Sequence, residues 1–400
     1  MGIRPTSSEF SPHYEETFDN THEIYEDMRK RCPVAHSQDF EGFWALFKYE
    51  DIVRIQEDSE TFSVSERNVV PRVTRTGGKR PPLHFDPPEH DAFRKPVNVV
   101  FRKSRMHAIE APLNTIADEL LDPLIAKGEF DFSKDFAEYF AAQAFGQILK
   151  LPLDMMLRAR EAGVRYYRAT TAMDRPAIEQ GSADLYAVAK EVVEARKNDL
   201  QDPEEDLISA LLLAKINGEA MPVQLVVASI RQFLSAAQAA PQAVLGSIAV
   251  HLARDQALQE QLRQDPSLHP KAVEEFLRMY APYRVFARMA TKDVEIRGRS
   301  INAGEVLTMM FPSANRDEDV FSNPHEFRLD RGANKHIAFG RGAHQCPAAS
   351  LARTELTIGL GKLLDKTSRF KLAGPVKMSD WLEFGPSSTP IRVEPARAKG

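Results

Sequence analysis

The chain has 400 residues, 43% of them hydrophobic and 27% charged, with a formal net charge of −5. That composition suits a globular chain with a sizeable core, and the acidic balance excludes binding nucleic acid through bulk charge. No run of 18 apolar residues is present to span a membrane, and the opening stretch MGIRPTSSEFSPHYEE lacks the apolar segment of a secretion signal, so the expected setting is the cytoplasm.

Helical periodicity dominates the chain. Strand signal comes first, as the alternating FWALFKY at 43–49. A Pro/Gly-rich loop, VVPRVTRTGGKRPP, follows at 69–82. Apolar residues then recur at three- and four-residue spacing over 105–128, 135–150 and 184–200, each predicting a helix. A long apolar helix is predicted over 221–255, with Pro241 removing one backbone donor and bending it. Another helix, HPKAVEEFLRMYAP at 269–282, is ended by a proline, and 294–311 alternates like a hairpin. The predicted class is mainly α with a small β region, in one domain over 1–400.

Only two cysteines exist, Cys32 and Cys346, and nothing in their placement favours a disulfide. Cys346 lies in AFGRGAHQC, followed directly by PAASLARTEL. Gly340 and Gly342 allow a tight turn with backbone close to something flat or bulky. Pro347 is a good first helical residue. A cysteine at a helix start has its thiolate stabilised by free N–H groups and the helix dipole. With no second cysteine nearby, a structural zinc site is disfavoured. A lone thiolate suits a nucleophile or a single axial metal ligand, such as haem iron takes.

The string FGRGAHQCPAASLARTE closely resembles the haem-thiolate signature of the cytochrome P450 family, Phe-x-x-Gly-x-x-x-Cys-x-Gly/Ala followed by Leu-Ala-Arg-x-Glu. Phe339, Gly342, Cys346, Ala348, Leu351, Ala352, Arg353 and Glu355 fall on it; Pro347 and Ala348 depart from the commonest residues there. The resemblance covers about residues 10–395, leaving 1–9 as a tail, and implies haem b with Cys346 as axial iron ligand. It implies that Glu275 and Arg278, one helical turn apart, form the family's buried pair, and that ANRDEDVFSNPHEFRLDR at 314–331 is the meander the pair locks. It also implies that His90 and Arg94, with Arg288 and His344, hold the haem propionates, for which cationic donors are chemically apt.

One family feature is missing. On the central helix most members carry Ala/Gly-Gly-x-Asp/Glu-Thr, whose acid and alcohol deliver protons during dioxygen activation. Here SAAQAAPQA (235–243) puts Ala237 at the glycine position, Ala239 at the acid position and Ala240 at the alcohol position. A register shifted by one puts Gln238 at the acid position; neither register gives an acid–alcohol pair. The catalytic candidates are therefore Gln238, Ala239 and Ala240. Hydrogen peroxide, which brings its own protons and electrons, would relieve the deficit, with Gln238 or water orienting it; dioxygen with a ferredoxin and its reductase is the other route. The resemblance implies insertion of one oxygen atom into a small organic substrate; phenylalanine-rich apolar walls suit an aromatic one, and the expected reaction is hydroxylation or O-demethylation of a methoxyphenol-like compound. Alternatives are a terpenoid or fatty-acid hydroxylase, or a non-catalytic haem protein that binds ligands. Pocket candidates are Phe233, Leu234, Ala237, Ala240, Val285, Phe286 and Phe384, with the loop 66–82 and the stretch 163–174. Arg231, about 200° round the helix from Phe233, is expected to point away from the pocket. Arg102, Lys103, Arg105 and Arg341 could make a basic docking face for an acidic electron donor.

Overall fold

The computed structural model describes residue 5 and residues 7–12, 17–72, 78–379 and 381–396. The part of the 66–82 loop at 73–77 lies outside the described residues, as do 1–4 and 6 of the expected tail. Helices form most of the body, and the long apolar segment is its axis. It is one α-helix, Val223–Arg254, running without interruption through Pro241. Leu245, Ile248 and Leu252 on it are 0–1% exposed. Each such side chain contributes about 1.5–3 kcal/mol on burial, which outweighs the loss of one backbone hydrogen bond at Pro241. This is also the one helix among the described residues long and apolar enough to cross a membrane, and 67% of its apolar window is buried inside the protein.

Helices Glu138–Leu149, Leu153–Thr171 and Arg175–Asn198 pack around this axis on one side, and Ala349–Lys366 and His269–Met279 on another. The segment predicted over 105–128 is Lys103–Lys127, and the helix predicted from 184 already begins at Arg175. Asp174 makes that earlier start possible by accepting the Ala177 N–H as a cap, with Pro176 in the first turn.

The β part is a five-stranded sheet in the order Val34–Ser37, Phe43–Leu46, Val306–Met310, Val285–Ala290 and Phe62–Ser63. Its second and third strands run parallel and its other pairs antiparallel. A smaller three-stranded sheet joins Thr367–Leu372, Pro390–Pro395 and Glu129–Asp131. The alternating 294–311 segment resolves into a short hairpin, Val294–Ile296 with Arg299–Ile301, and then the central strand Val306–Met310. The strand Val285–Ala290 follows the helix His269–Met279 almost directly, and so brings Arg288 and Phe286 to the inner end of the molecule.

Candidate active site: the cysteine loop and the face above it

The loop around Cys346 is held by its own backbone. Gly340 N–H donates to Ile337 C=O at 2.9 Å, Gln345 N–H to Gly342 C=O at 3.1 Å, and Cys346 N–H to Phe339 C=O at 2.8 Å. The helix Ala349–Lys366 then begins three residues after the cysteine. Gly342 has φ +68°, and a Cβ there would lie 2.5 Å from the Gln56 carbonyl oxygen. The end of the helix Tyr49–Glu57 approaches this glycine closely, the bulky neighbour that the tight turn admits. Burial pushes the Cys346 thiol up, while the Ala348 N–H, Arg94 and Arg353 favour its anion.

Two clamps fix the loop from outside. Arg353 makes a two-pronged contact with Glu274, at 2.6 and 2.9 Å, and stands over the Phe339 ring at 4.6 Å. His336 reaches the same carboxylate at 3.1 Å. Beside it, Arg278 donates to Glu275 at 2.7 and 2.9 Å, with both side chains essentially excluded from solvent. Arg278 also donates to the carbonyls of Asn315, Pro324 and Glu326, and so ties the meander to this helix. Arg331 and Asn334 complete the coordination of Glu275 at 2.9 and 3.0 Å. Sequence reading missed these two, since they act across 56 and 59 residues.

His90, Arg94, Arg288 and His344 converge on one region. The His90 and His344 rings lie 4.4 Å apart, and both Nε2 atoms are buried without a partner. His344 is held near pKa 2, first by burial and then by the charges of Arg288, His90 and Arg94. Arg288 is 6% exposed, donates to the carbonyl of its neighbour Ala287, and is pulled to about 10 by burial. Arg94 donates to Asn98 and to the Gln345 carbonyl. None of the three residues Arg94, Arg288 and His344 is paired with a carboxylate among the described residues. A buried cation without an anion, as Arg288 is, is costly, and an anionic partner would satisfy it together with the half-buried Arg94 and neutral His344 beside it. Together with the half-buried Cys346 and the partly open Ala236, Ala237 and Ala240 of the central helix, this donor set fits haem, with two propionates and one axial thiolate.

A model of the cytochrome P450 family matches residues 174–384. The chain is a cytochrome P450. Nocardicin C N-oxygenase of Nocardia uniformis subsp. tsuyamanensis is 32% identical over 92% of this chain and 91% of that protein. The steroid C26-monooxygenase of Mycobacterium tuberculosis is 29% identical over 94% of each chain. Among solved structures, cytochrome P450 CYP101C1 superposes with a TM-score of 0.85 at 28% identity, covering 98% of this chain and 97% of that one. CYP108D1 from Novosphingobium aromaticivorans does so with a TM-score of 0.84 at 26% identity, covering 95% of each. This P450 has the single-domain, mainly helical fold of its family, is a monooxygenase acting on a small molecule, and uses haem with the Cys346 thiolate as axial ligand to iron.

The distal residues of this P450 fall differently from expectation. Ala240, Ala237 and Phe233 share the partly open helix face, and Phe233 meets Phe101 with ring centres 6.2 Å apart. Gln238 does not share it. It lies about 200° from Ala240, donates back to the Leu234 carbonyl at 2.9 Å, and with Leu234 and Ala239 borders a rear cavity of about 610 Å³ rich in charged residues, among them Lys134, Glu138 and Arg160. Gln238 therefore does not share the helix face that carries Ala240, and Leu234 and Ala239 line the same cavity as Gln238. Phe384 is also corrected: it is 1% exposed, meets the His22 ring edge-on at 5.2 Å, and lies under Arg284, in the core rather than the pocket.

A second cavity, about 60 Å³, lies between the central helix, the helix Leu153–Thr171 and the strand Val285–Ala290. Val285 and Phe286 line it as expected from the sequence, as do Asn68, Val69 and Arg80 of the 66–82 loop and Tyr166, Tyr167 and Thr170. Arg231 lines it too, so this side chain points into the pocket and not away from it. The 200° separation from Phe233 holds; the error was to give the pocket only one helix face. Tyr283, unnoticed in the sequence, donates its hydroxyl to the Ala236 carbonyl at 3.3 Å, and burial holds that phenol protonated. The next carbonyl, that of Ala237, loses its helical donor because Pro241 has no N–H. On the basic face, Arg102 is matched by Glu204 at 2.9 Å, Arg105 donates to the Glu204 carbonyl, and Arg341 bonds Tyr49 and faces Glu57. The four expected cations therefore present less free charge than their sequence count implies.

Proposed function

We propose that this P450 oxygenates a small aromatic compound, by ring hydroxylation or by O-demethylation of a methoxyphenol-like substrate, and that it can take its oxygen from hydrogen peroxide. The observation that carries the reading is the small cavity walled by Tyr166, Tyr167, Tyr283 and Phe286. Ring faces and edges gathered round one space favour another ring over a flexible chain.

Bound haem supplies oxygen transfer, with the thiolate pushing electron density that favours O–O cleavage. This chain's own residues set the terms around it. Arg94, Arg288, His90 and His344 would hold the propionates, and the aromatic wall orients the substrate and excludes water. The haem-side face of the central helix offers no side-chain acid or alcohol, only the Tyr283 hydroxyl and the Ala237 carbonyl. These can hold a water or peroxide but supply no titrating acid near neutral pH. In O-demethylation with peroxide, one oxygen enters a methyl C–H bond and the other leaves as water. The hydroxymethyl ether then breaks to phenol and formaldehyde, so atoms and electrons balance without an external reductant. The electron-donor route, with ferredoxin and its reductase, is the alternative.

The test is product and formaldehyde release from a panel of methoxyphenols. One arm uses purified holoenzyme with hydrogen peroxide alone, the other NADH with a surrogate reductase and ferredoxin. Product in the peroxide arm supports the proposal. Product in the reductase arm alone overturns peroxide use, and turnover of terpenoids or fatty acids with no aromatic turnover overturns the substrate class.

A further inference from the structure

Arg231 is 1% exposed, and its Nε and Nη2 atoms have no hydrogen-bond partner. Its guanidinium stands over the Tyr166 ring at 4.5 Å and the Tyr186 ring at 5.8 Å. Stacking of that kind recovers part of the lost hydration, but leaves the in-plane N–H donors unused. Across the same cavity stands Arg80, 8% exposed, whose guanidinium Nη2 lies 3.4 Å from His84 Nε2. The two positive charges oppose one another, and burial together with Arg80 lowers the Arg231 pKa. Among the described residues, no aspartate or glutamate lines this cavity. The Tyr186 hydroxyl nearby is also buried without a partner. A fold does not keep two arginines facing one small space at this cost unless something anionic enters it.

We infer that the substrate of this P450 carries a carboxylate, bound by Arg231 and Arg80 at the end of the pocket remote from the iron. The inference rests on the aromatic-pocket reading above and narrows it to an aromatic acid. The planar fork of Arg231 matches a carboxylate in two parallel hydrogen bonds. Tyr186 or Arg80 serves the second lone pairs. Along the central helix, Arg231 lies five residues before Ala236, about 7.5 Å of rise, and both line the cavity. The acid group then points the opposite end of the ring, for example a para-methoxy group, toward Ala236.

The test is equilibrium binding to purified ferric holoenzyme, read from the haem absorbance shift, using ligand pairs that differ only in charge. The pairs are 4-methoxybenzoate against 4-methoxybenzamide, and dodecanoate against dodecanol. The acid of the aromatic pair is expected to bind at least tenfold tighter than the amide, and the preference to vanish in Arg231→Gln and shrink in Arg80→Gln. Neutral-ligand binding serves as the control for folding in both variants. Equal affinity within both pairs, or a loss in Arg231→Gln that strikes amide and acid alike, overturns the inference. If neutral methoxyarenes bind tightly with no acid preference, the aromatic reading stands and this one falls. If only dodecanoate shows the preference, the carboxylate subsite stands and the aromatic reading falls.

Discussion

Arg278 Nη2 donates to Glu275 Oε1 at 2.7 Å, where the two side chains are 0% and 1% exposed. Burial works to raise the Glu275 pKa, and the bonds and charges of Arg278 and Arg331 overcome it, leaving the carboxyl below its ordinary value. Because Arg278 also holds three meander carbonyls, removing the anion leaves two guanidinium groups uncompensated next to the cysteine loop. Glu275→Gln is expected to cost about 3–5 kcal/mol, the usual penalty for breaking a buried pair from one side. Urea unfolding of the holoprotein measures this, with haem content after purification as a second readout. A change under 1 kcal/mol would show that the pair is not what fixes the meander.

Glu274 gives the pH dependence its sign. Burial raises this carboxyl, but His336 and Arg353 pull it down from 4.5 to about 2. A carboxylate lowered on folding contributes stability above its unfolded pKa and loses it as pH falls through the folded one. The clamp on the cysteine loop should therefore weaken between about pH 4.5 and pH 2. The expected result is a steep loss of thiolate-ligated haem absorbance in that window. Glu274→Gln should begin lower at neutral pH and show a flatter acid limb. An acid limb identical in the two proteins would assign the loss to other carboxylates, such as Glu318, which is also lowered to about 2.

The missing acid–alcohol pair makes a prediction about oxidant choice. Ala240 sits on the haem-side face, one turn beyond the Ala236 carbonyl that Tyr283 bonds. Ala240→Thr supplies the absent hydroxyl there. Product formed per NADH consumed in the reductase arm is expected to rise several-fold, while the peroxide-driven rate stays level or falls. Tyr283→Phe, which removes the hydroxyl already present, should lower the peroxide-driven rate more than ligand affinity. If Ala240→Thr raises the peroxide rate instead, the alanine is not an adaptation to that oxidant.

The cysteine loop was legible because everything that defines it is local: two glycines, the cysteine and the helix start lie within a dozen residues. The Glu275–Arg278 pair was legible for the same reason, being one turn apart. Their other partners were not, since Arg331, Asn334 and the Glu274–Arg353 contact join segments far apart in the chain. The strand Val285–Ala290 was also hidden. Its two faces are both largely covered, so it lacks the alternation that reveals a half-exposed strand.

The sequence by itself determined the family, the haem ligand and the absence of an acid–alcohol pair, all of which are identities at fixed positions. Only the tertiary structure decided which side chains share a cavity. Periodicity gives the angle between Arg231, Gln238 and Ala240 on one helix, but not how that helix is rotated against its neighbours. That rotation is set by packing of Leu245, Ile248 and Leu252 into the core. Gln238 and Arg231 lie only about 20° apart round the helix but seven residues apart along it, so the elements packed against each level give Gln238 the rear cavity and Arg231 the smaller one, where no carboxylate among the described residues meets its charge.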